Sequence, residues 1–144
     1  MNSSIEKYSG YVYAVMRLMV GLMFACHGLQ KLFGMFGGKG GAHGLMLFGG
    51  IIEVGGGFLI ALGLLTRPAA FLASGMMAVA YFMAHFPSHP VPLVNKGELA
   101  VVYCFVFLYI FFRGGGPWSL DALIFGRKMA TDEVAGPARV GRTL

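Results

Sequence analysis

Long apolar segments alternate with short polar ones along this chain. Four apolar segments stand out, at about residues 10–33, 45–65, 68–86 and 99–112. A helix that crosses a bilayer needs about 20 apolar residues, so the first three segments are long enough. The fourth reaches that length only if its helix begins in the polar sequence at 95–98. The pattern predicts an all-α, four-helix transmembrane bundle in which neighbouring helices are antiparallel.

Glycine and proline residues mark the connections between these helices. Residues 35–44 contain five glycines, which predicts a flexible loop. A tight turn is expected at Thr66-Arg67-Pro68, with Thr66 or Arg67 as the cap of the third helix and Pro68 in its first turn. The proline-rich residues 87–92 are expected to be extended. Asn95 and Glu98 have the spacing of a capping box at the start of the fourth helix.

Two further features are predicted after the fourth helix. The sequence at 113–117 contains three glycines and a proline, which end that helix. Residues 118–129 then predict a short helix on the membrane surface, with Ser119 as its N-cap. From residue 131 the sequence is small and polar, so we expect disorder. The chain is therefore divided into a four-helix transmembrane domain at 1–130 and a tail at 131–144.

Composition and charge agree with a membrane protein. The chain is 57% hydrophobic and 12% charged, whereas a soluble domain has about 25% charged residues. Four spans would place seven basic residues on the side of both termini and three on the other. Because cytoplasmic segments carry the excess of Lys and Arg, both termini are predicted to be cytoplasmic. The expected partners are membrane lipids and not nucleic acid, since no folded basic face is evident.

Two charged residues lie inside the apolar segments. Glu53 has no charged neighbour within residues 45–65, and Arg17 is isolated in the first segment. A charge at that depth needs a partner or a function. Each lies in a row of glycine and alanine at i, i+4 spacing, which favours close helix packing. We therefore predict a buried polar pair of Arg17 and Glu53, either as a structural ion pair or as a proton-handling or ligand-anchoring site.

A second group of polar residues is predicted at similar depth near the outer face. Histidine titrates near neutrality, so such a group can relay protons or bind a metal. His85 and His89 have i, i+4 spacing, but Pro87 interrupts the helix between them, and we expect no metal site. The alternative role of its acidic member, Glu98, is that of a helix cap alone. This outer-face polar cluster consists of His27, His85, Asn95 and Glu98.

The remaining residues give no direct sign of catalysis. Cys26 and Cys104 both lie inside predicted helices, and we interpret them as small buried apolar residues and not as a redox pair. No nucleotide-binding loop or nucleophile motif is present in the sequence. No residue is therefore assigned a catalytic role, and the sequence leaves open whether the chain is an enzyme.

Several short motifs occur over about residues 17–121: Arg17-Leu18, His27-Gly28, Lys31-Leu32, Glu53, Gly56-Gly57, Leu62–Arg67, Asn95, Gly97-Glu98 and Gly114–Asp121. Taken together, these motifs resemble the DoxX family. The resemblance implies a four-helix bundle in the bacterial cytoplasmic membrane. It also implies an association with quinol oxidase, thiosulfate:quinone oxidoreductase or other redox and sulfur-stress systems. The family-like polar positions are Arg17, His27, Glu53, Asn95 and Glu98.

Three functions are compatible with the sequence. The leading hypothesis is a membrane subunit that supports quinone-linked electron transfer, with no redox cofactor of its own and with a bound quinone positioned by the polar residues. The alternative is a non-enzymatic scaffold or assembly subunit of a larger complex. A small transporter is the third, and with four spans it requires an oligomer. We expect another protein subunit or a second copy of the chain as partner.

Overall fold

The computed structural model describes the backbone of residues 3–126 and the side chains of residues 8–126. The helices are α1 (Ser3–Phe33), α2 (Leu45–Leu62), α3 (Thr66–Ala80), α4 (Pro92–Asn95), α5 (Glu98–Arg113) and α6 (residues 120–126). A π-helical turn at Tyr81–His85 continues α3. The described residues contain no strand, so the all-α prediction is confirmed. The predicted tail at 131–144 lies outside the described residues.

Three of these helices are long and apolar enough to cross a membrane. They comprise Tyr8–Phe33, Leu45–Leu62 and Thr66–His85. Large apolar side chains cover their outer surfaces, as bilayer contact requires and water contact does not. The fourth predicted span corresponds to α5, whose 16 residues give a length of about 24 Å at 1.5 Å per residue. This is shorter than the hydrocarbon core of about 30 Å.

The helices pack in a closed order around one core. α1 packs along α2, α2 against α3, and α3 against α5. Aromatic side chains join α5 back to α1. The centroid of the Phe24 ring lies 4.6 Å from that of Phe107 and 5.4 Å from that of Tyr103. Edge-to-face and tilted aromatic pairs at these distances are favourable beyond the area they bury. The four long helices therefore form a bundle with its apolar core between them.

The α1–α2 contact is made by glycine and alanine. A Cβ atom added to Gly57 would lie 2.6 Å from the backbone nitrogen of Ala25 and 2.6 Å from the carbonyl oxygen of Gly21. A Cβ on Gly21 would meet the backbone of Gly57 and Ala61 at the same distance. The two backbones therefore touch, as predicted from the rows of small residues.

Two connections differ from the sequence-based prediction. Residues 87–92 are not extended throughout: the chain turns at 86–88 and Pro92 opens α4. The capping box is not formed, because Asn95 ends α4 and Lys96 takes a left-handed conformation with φ 59°. The N-cap of α5 is Gly97, and the Asn95 Oδ1 accepts a hydrogen bond from the Gly97 N–H at 2.8 Å.

Substituting Gly57 with alanine tests the backbone contact. We expect Gly57→Ala to lower the free energy of unfolding by about 1–3 kcal/mol, since the new methyl group overlaps the backbone of α1. The matched control is Gly55→Ala on the same helix, where an added Cβ meets no atom within 4 Å. That change should stabilise α2 by up to about 1 kcal/mol. Unfolding in detergent measures both, and equal stability of the two variants would contradict the contact.

Candidate functional site

Arg17 is buried at one end of the bundle, where it binds backbone carbonyls. Its side chain is 2% exposed, and its guanidinium donates to the carbonyl oxygens of Ile60, of Ala61 at 2.8 Å and of Trp118 at 2.6 Å. Ile60 and Ala61 belong to the last turn of α2, whose carbonyls lack partners within the helix and carry partial negative charge. Arg17 therefore joins α1, the end of α2 and the chain after α5.

Glu53 is also buried, with a different partner from the predicted one. Its Oε1 lies 2.5 Å from the Nζ of Lys31, and the Lys31 side chain is 37% exposed against 3% for Glu53. The predicted pair of Arg17 and Glu53 is therefore incorrect, although both residues face inward. Glu53 precedes Ile60 by seven residues, which is about 10 Å along α2. The nearer helix-end carbonyls accept hydrogen bonds from Arg17, whose Nε has no partner within the described residues, and Lys31 pairs with one oxygen of Glu53.

The segment after α5 closes the same end of the bundle as Arg17. The Asp121 carboxylate accepts hydrogen bonds from the N–H groups of Leu65 at 2.8 Å and Thr66 at 2.9 Å. The Asp121 N–H donates to the Gly63 carbonyl at 2.8 Å. Asp121 therefore caps α3, a role that the sequence had suggested for Thr66 or Arg67. The Ser119 Oγ accepts a hydrogen bond from the Ala122 N–H at 3.1 Å, which confirms the predicted cap of α6.

At the opposite end, two of the four residues of the outer-face polar cluster share hydrogen bonds. The His85 Nδ1 lies 3.1 Å from the carbonyl oxygen of Asn95. The Asn95 Nδ2 donates to the His89 carbonyl at 2.6 Å and to the Tyr81 hydroxyl at 3.3 Å. The Tyr81 hydroxyl donates to the Pro90 carbonyl at 2.8 Å. These bonds hold the proline-rich loop against the π-helical turn.

The other two residues of that cluster lie elsewhere. His27 is half-buried and packs edge-on against the Tyr103 ring, with 6.1 Å between the ring centroids. Glu98 is exposed in the first turn of α5. The structure therefore brings His85 and Asn95 together, and among the described residues no hydrogen bond or ring contact joins either of them to His27 or Glu98. Cys26 is exposed and Cys104 half-buried, so the burial predicted for Cys26 is wrong.

An apolar groove of about 570 Å³ runs between α2 and α3, with Lys31 and Glu53 as its ionic residues. The Oε2 atom of Glu53 is buried and has no hydrogen-bond partner within the described residues. A buried carboxylate oxygen without a donor is costly. The apolar wall of the groove includes Phe48, Ile52, Leu72, Met76, Val79 and Met83. This arrangement suits an amphipathic molecule with an apolar body and a hydrogen-bond donor at its head.

Lys31, the partner of Glu53, was not among the site residues expected from the sequence. Phe24, Gly28 and Lys31 recur at i, i+4 and i+7 and so share one face of α1, which is the signal that could have placed Lys31 toward the interior of the bundle. The Tyr103 hydroxyl is also buried without a partner among the described residues. Nothing in the local sequence distinguishes Tyr103 from its aromatic neighbours.

Comparison with known proteins gives one family and one relative. The family model described as DoxX matches residues 12–86, which include Arg17, Lys31, Glu53 and His85. A protein of Haemophilus influenzae described as "Uncharacterized protein" is 40% identical over 131 residues, covering 85% of this chain and 98% of that protein. No solved structure matches the chain.

Double-mutant cycles, measured as changes in the free energy of unfolding, test whether Glu53 pairs with Lys31 and not with Arg17. Lys31→Met and Glu53→Gln should show a coupling energy of at least about 0.5 kcal/mol, because the two residues are in contact. Arg17→Met and Glu53→Gln should be additive within about 0.5 kcal/mol, since their side chains bind different groups. A strong coupling in the second cycle and none in the first would contradict the Lys31–Glu53 contact and support the Arg17–Glu53 pair predicted from the sequence.

Proposed function

This chain belongs to the DoxX family, and we propose that it is a membrane subunit supporting quinone-linked electron transfer. The groove between α2 and α3 is the proposed binding site for the quinone headgroup. Lys31 and Glu53 supply the polar contacts, and the apolar wall takes the isoprenoid or ring surface. Arg17, by contrast, has a structural role, because both of its terminal nitrogens donate to backbone carbonyls of other parts of the chain.

The observation that supports this proposal most directly is the free oxygen of a buried carboxylate beside an apolar groove. Glu53 Oε1 is held by Lys31, while Oε2 has no donor within the described residues. The terminal torsion of glutamate has broad, roughly two-fold preferences, so a half-turn of the carboxylate exchanges the two oxygens. A hydroxyl at the head of a quinol is a suitable donor for the free position, and it would relieve the cost of leaving that oxygen unsatisfied.

The residues of the groove suit the binding of a group that exchanges protons. A bound quinol would supply two electrons and two protons on oxidation to the quinone. The Glu53 carboxylate can accept one proton from a hydroxyl hydrogen-bonded to it, and the second proton would leave to water on the exposed side of Lys31. The Lys31 ammonium can donate to a carbonyl oxygen and stabilise negative charge on it. The apolar side chains exclude water around the Glu53 carboxylate, and a redox centre on a partner subunit would have to accept the electrons.

The same proposal includes four spans with both termini in the bacterial cytoplasm. Support comes from the position of α5, which begins where α3 ends and ends where α3 begins. At one end His85 contacts the Asn95 carbonyl just before α5. At the other, a Cβ on Gly115 would lie 3.0 Å from the Oγ1 of Thr66, the first residue of α3. The chain from Asn95 to Gly115, which contains α5, therefore extends over about the same height of the bundle as a helix long enough to span.

A scaffold subunit is the second candidate, and a specific observation favours it. The contacts of Arg17 and Asp121 tie three parts of the chain together at one end of the bundle. Such a rigid end is suited to hold a partner subunit without any bound small molecule. The two candidates differ in what Glu53 does, since a scaffold has no need of an amphipathic ligand in the groove.

Glu53→Gln tests the proposed function. We expect the purified variant, in mild detergent, to lose at least about tenfold in affinity for a quinol, which corresponds to about 1.4 kcal/mol for one hydrogen bond to a charged group. The matched control is Glu98→Gln, which removes an exposed acid from the first turn of α5. That variant should bind the quinol as the unmodified protein does. Quenching of protein fluorescence on titration with the quinol measures the affinity.

Two outcomes of that titration would favour the scaffold. One is equal quinol affinity for the unmodified protein and Glu53→Gln; the other is no quinol binding by either. In both cases co-purification of a larger complex that is weakened by Glu53→Gln would assign the residue to assembly. Melting temperatures of both variants provide the check that the fold is intact.

The proposed topology can be tested by labelling single cysteines. In a background with Cys26 and Cys104 replaced by alanine, Lys39→Cys should react with a membrane-impermeant maleimide added to intact spheroplasts. Arg67→Cys should react only after the membrane is opened, because it lies on the opposite side. Reaction of both residues in closed spheroplasts, or of neither, would contradict the four-span arrangement.

A further inference from the structure

A second cavity lies at the end of the bundle that Arg17 closes, away from the quinone groove. It has a volume of about 500 Å³ and is bounded by the turn before α3, the glycine run 114–116 and the start of α6. Its ionic residues are Arg67, Arg113 and Asp121. No part of the proposed electron-transfer function uses this cavity.

The charge of the cavity is positive and incompletely neutralised. Both oxygens of Asp121 already accept backbone N–H groups. Arg67 is exposed and forms no ion pair within the described residues. The Arg113 guanidinium lies 4.3 Å above the Tyr13 ring and donates to the Tyr109 hydroxyl at 2.7 Å, contacts that leave its charge in place. Two arginines and one carboxylate leave the cavity with a net positive charge, which favours the binding of an anion.

The floor of the cavity is made of glycine backbone. A Cβ atom on Gly114, which has φ 79°, would lie 3.1 Å from the Nε of Arg67, so this side chain lies across the glycine. A Cβ on Gly115 would lie 2.6 Å from the Ser119 Oγ and 3.0 Å from the Thr66 Oγ1. Only glycine therefore allows the guanidinium and both hydroxyl groups to approach the same stretch of chain.

Thr66 supplies an independent sign of a ligand. The residue is 0% exposed and lines the cavity, and its Oγ1 has no hydrogen-bond partner within the described residues. Buried hydroxyl groups are nearly always hydrogen-bonded. An acceptor from outside the chain, bound beside Gly115, would satisfy it.

We propose that this cavity binds the phosphate group of an anionic phospholipid. The Arg67 guanidinium offers the parallel N–H donors that suit phosphate oxygens, and the Thr66 hydroxyl donates to the same group. The apolar side chains of Trp118, 65% exposed, and Phe125, 49% exposed, lie at the same end of the bundle. Their exposure is typical of residues at a membrane interface and favours a lipid over a soluble phosphate as the source.

Lipid retention by the full chain tests this site. The protein is reconstituted in nanodiscs of phosphatidylcholine with a minor fraction of phosphatidylglycerol, transferred to detergent, and examined by native mass spectrometry. We expect the unmodified protein to retain phosphatidylglycerol and Arg67→Gln to retain at least about fivefold less. Lys39→Gln, which removes an exposed charge from the loop at the other end, is the matched control and should retain as much as the unmodified protein.

Thr66→Val separates binding from folding. Because Oγ1 has no partner within the described chain, replacing it should leave the melting temperature of lipid-free protein unchanged or raise it. Retention of phosphatidylglycerol should nevertheless fall. A lower melting temperature in lipid-free protein, with retention unchanged, would assign the hydroxyl to the fold and count against the site.

The source of the phosphate is decided by competition. Inorganic phosphate and glycerol phosphate at millimolar concentration should not displace the lipid, if the acyl chains contribute to binding as proposed. Displacement by either compound would overturn the lipid assignment in favour of a soluble phosphorylated ligand. Equal retention by the unmodified protein and Arg67→Gln would overturn the site itself.

Discussion

Contact between the backbones of α1 and α2 is the constraint on which the rest of the structure depends. Gly21 and Gly57 bring the two helices so close that neither position has room for a Cβ atom. At that separation, charged side chains on α1 reach α2 at two levels. Arg17 meets the carbonyls at the end of α2, and Lys31 meets Glu53 about two helical turns earlier on α2. Without this contact, both buried charges would have to be satisfied by water or lipid.

The contacts of Arg17 and of Glu53 have different roles because their hydrogen bonding differs. Both terminal nitrogens of Arg17 donate to backbone carbonyls, only its Nε lacks a partner in the described chain, and Asp121 completes the closure by capping α3. That end is a structural joint among α1, α2 and the chain after α5. Glu53 retains a buried oxygen without a partner in the described chain and lies beside an apolar groove. An unsatisfied polar atom at the edge of a groove is where an additional molecule would gain the most from binding.

The sequence predicted much of this fold because apolar length and small-residue spacing are local properties. The three long spans, the α1–α2 contact and the inward orientation of Arg17 and Glu53 all follow from them. The pairing of the charges does not follow from these local properties. It depends on which groups of α2 lie opposite Arg17 and Lys31 once the helices have packed. The capping of α3 by Asp121 joins residues 55 apart in sequence, and no local pattern indicates it. The position of Lys31 on the face of Phe24 and Gly28 was visible in the sequence, but Arg17 shares that face, so the spacing alone does not choose the partner of Glu53.

Solid-state NMR gives the most direct test of the Lys31–Glu53 ion pair. Membrane-embedded protein, labelled with ¹⁵N in lysine and arginine side chains and with ¹³C in glutamate carboxyl groups, is examined for dipolar dephasing between nitrogen and carboxyl carbon. A contact at 2.5 Å between Lys31 Nζ and Glu53 Oε1 predicts strong dephasing of one lysine signal, lost in both Lys31→Gln and Glu53→Gln. Dephasing of an arginine signal that disappears in Arg17→Gln, with the lysine signals unaffected, would contradict it.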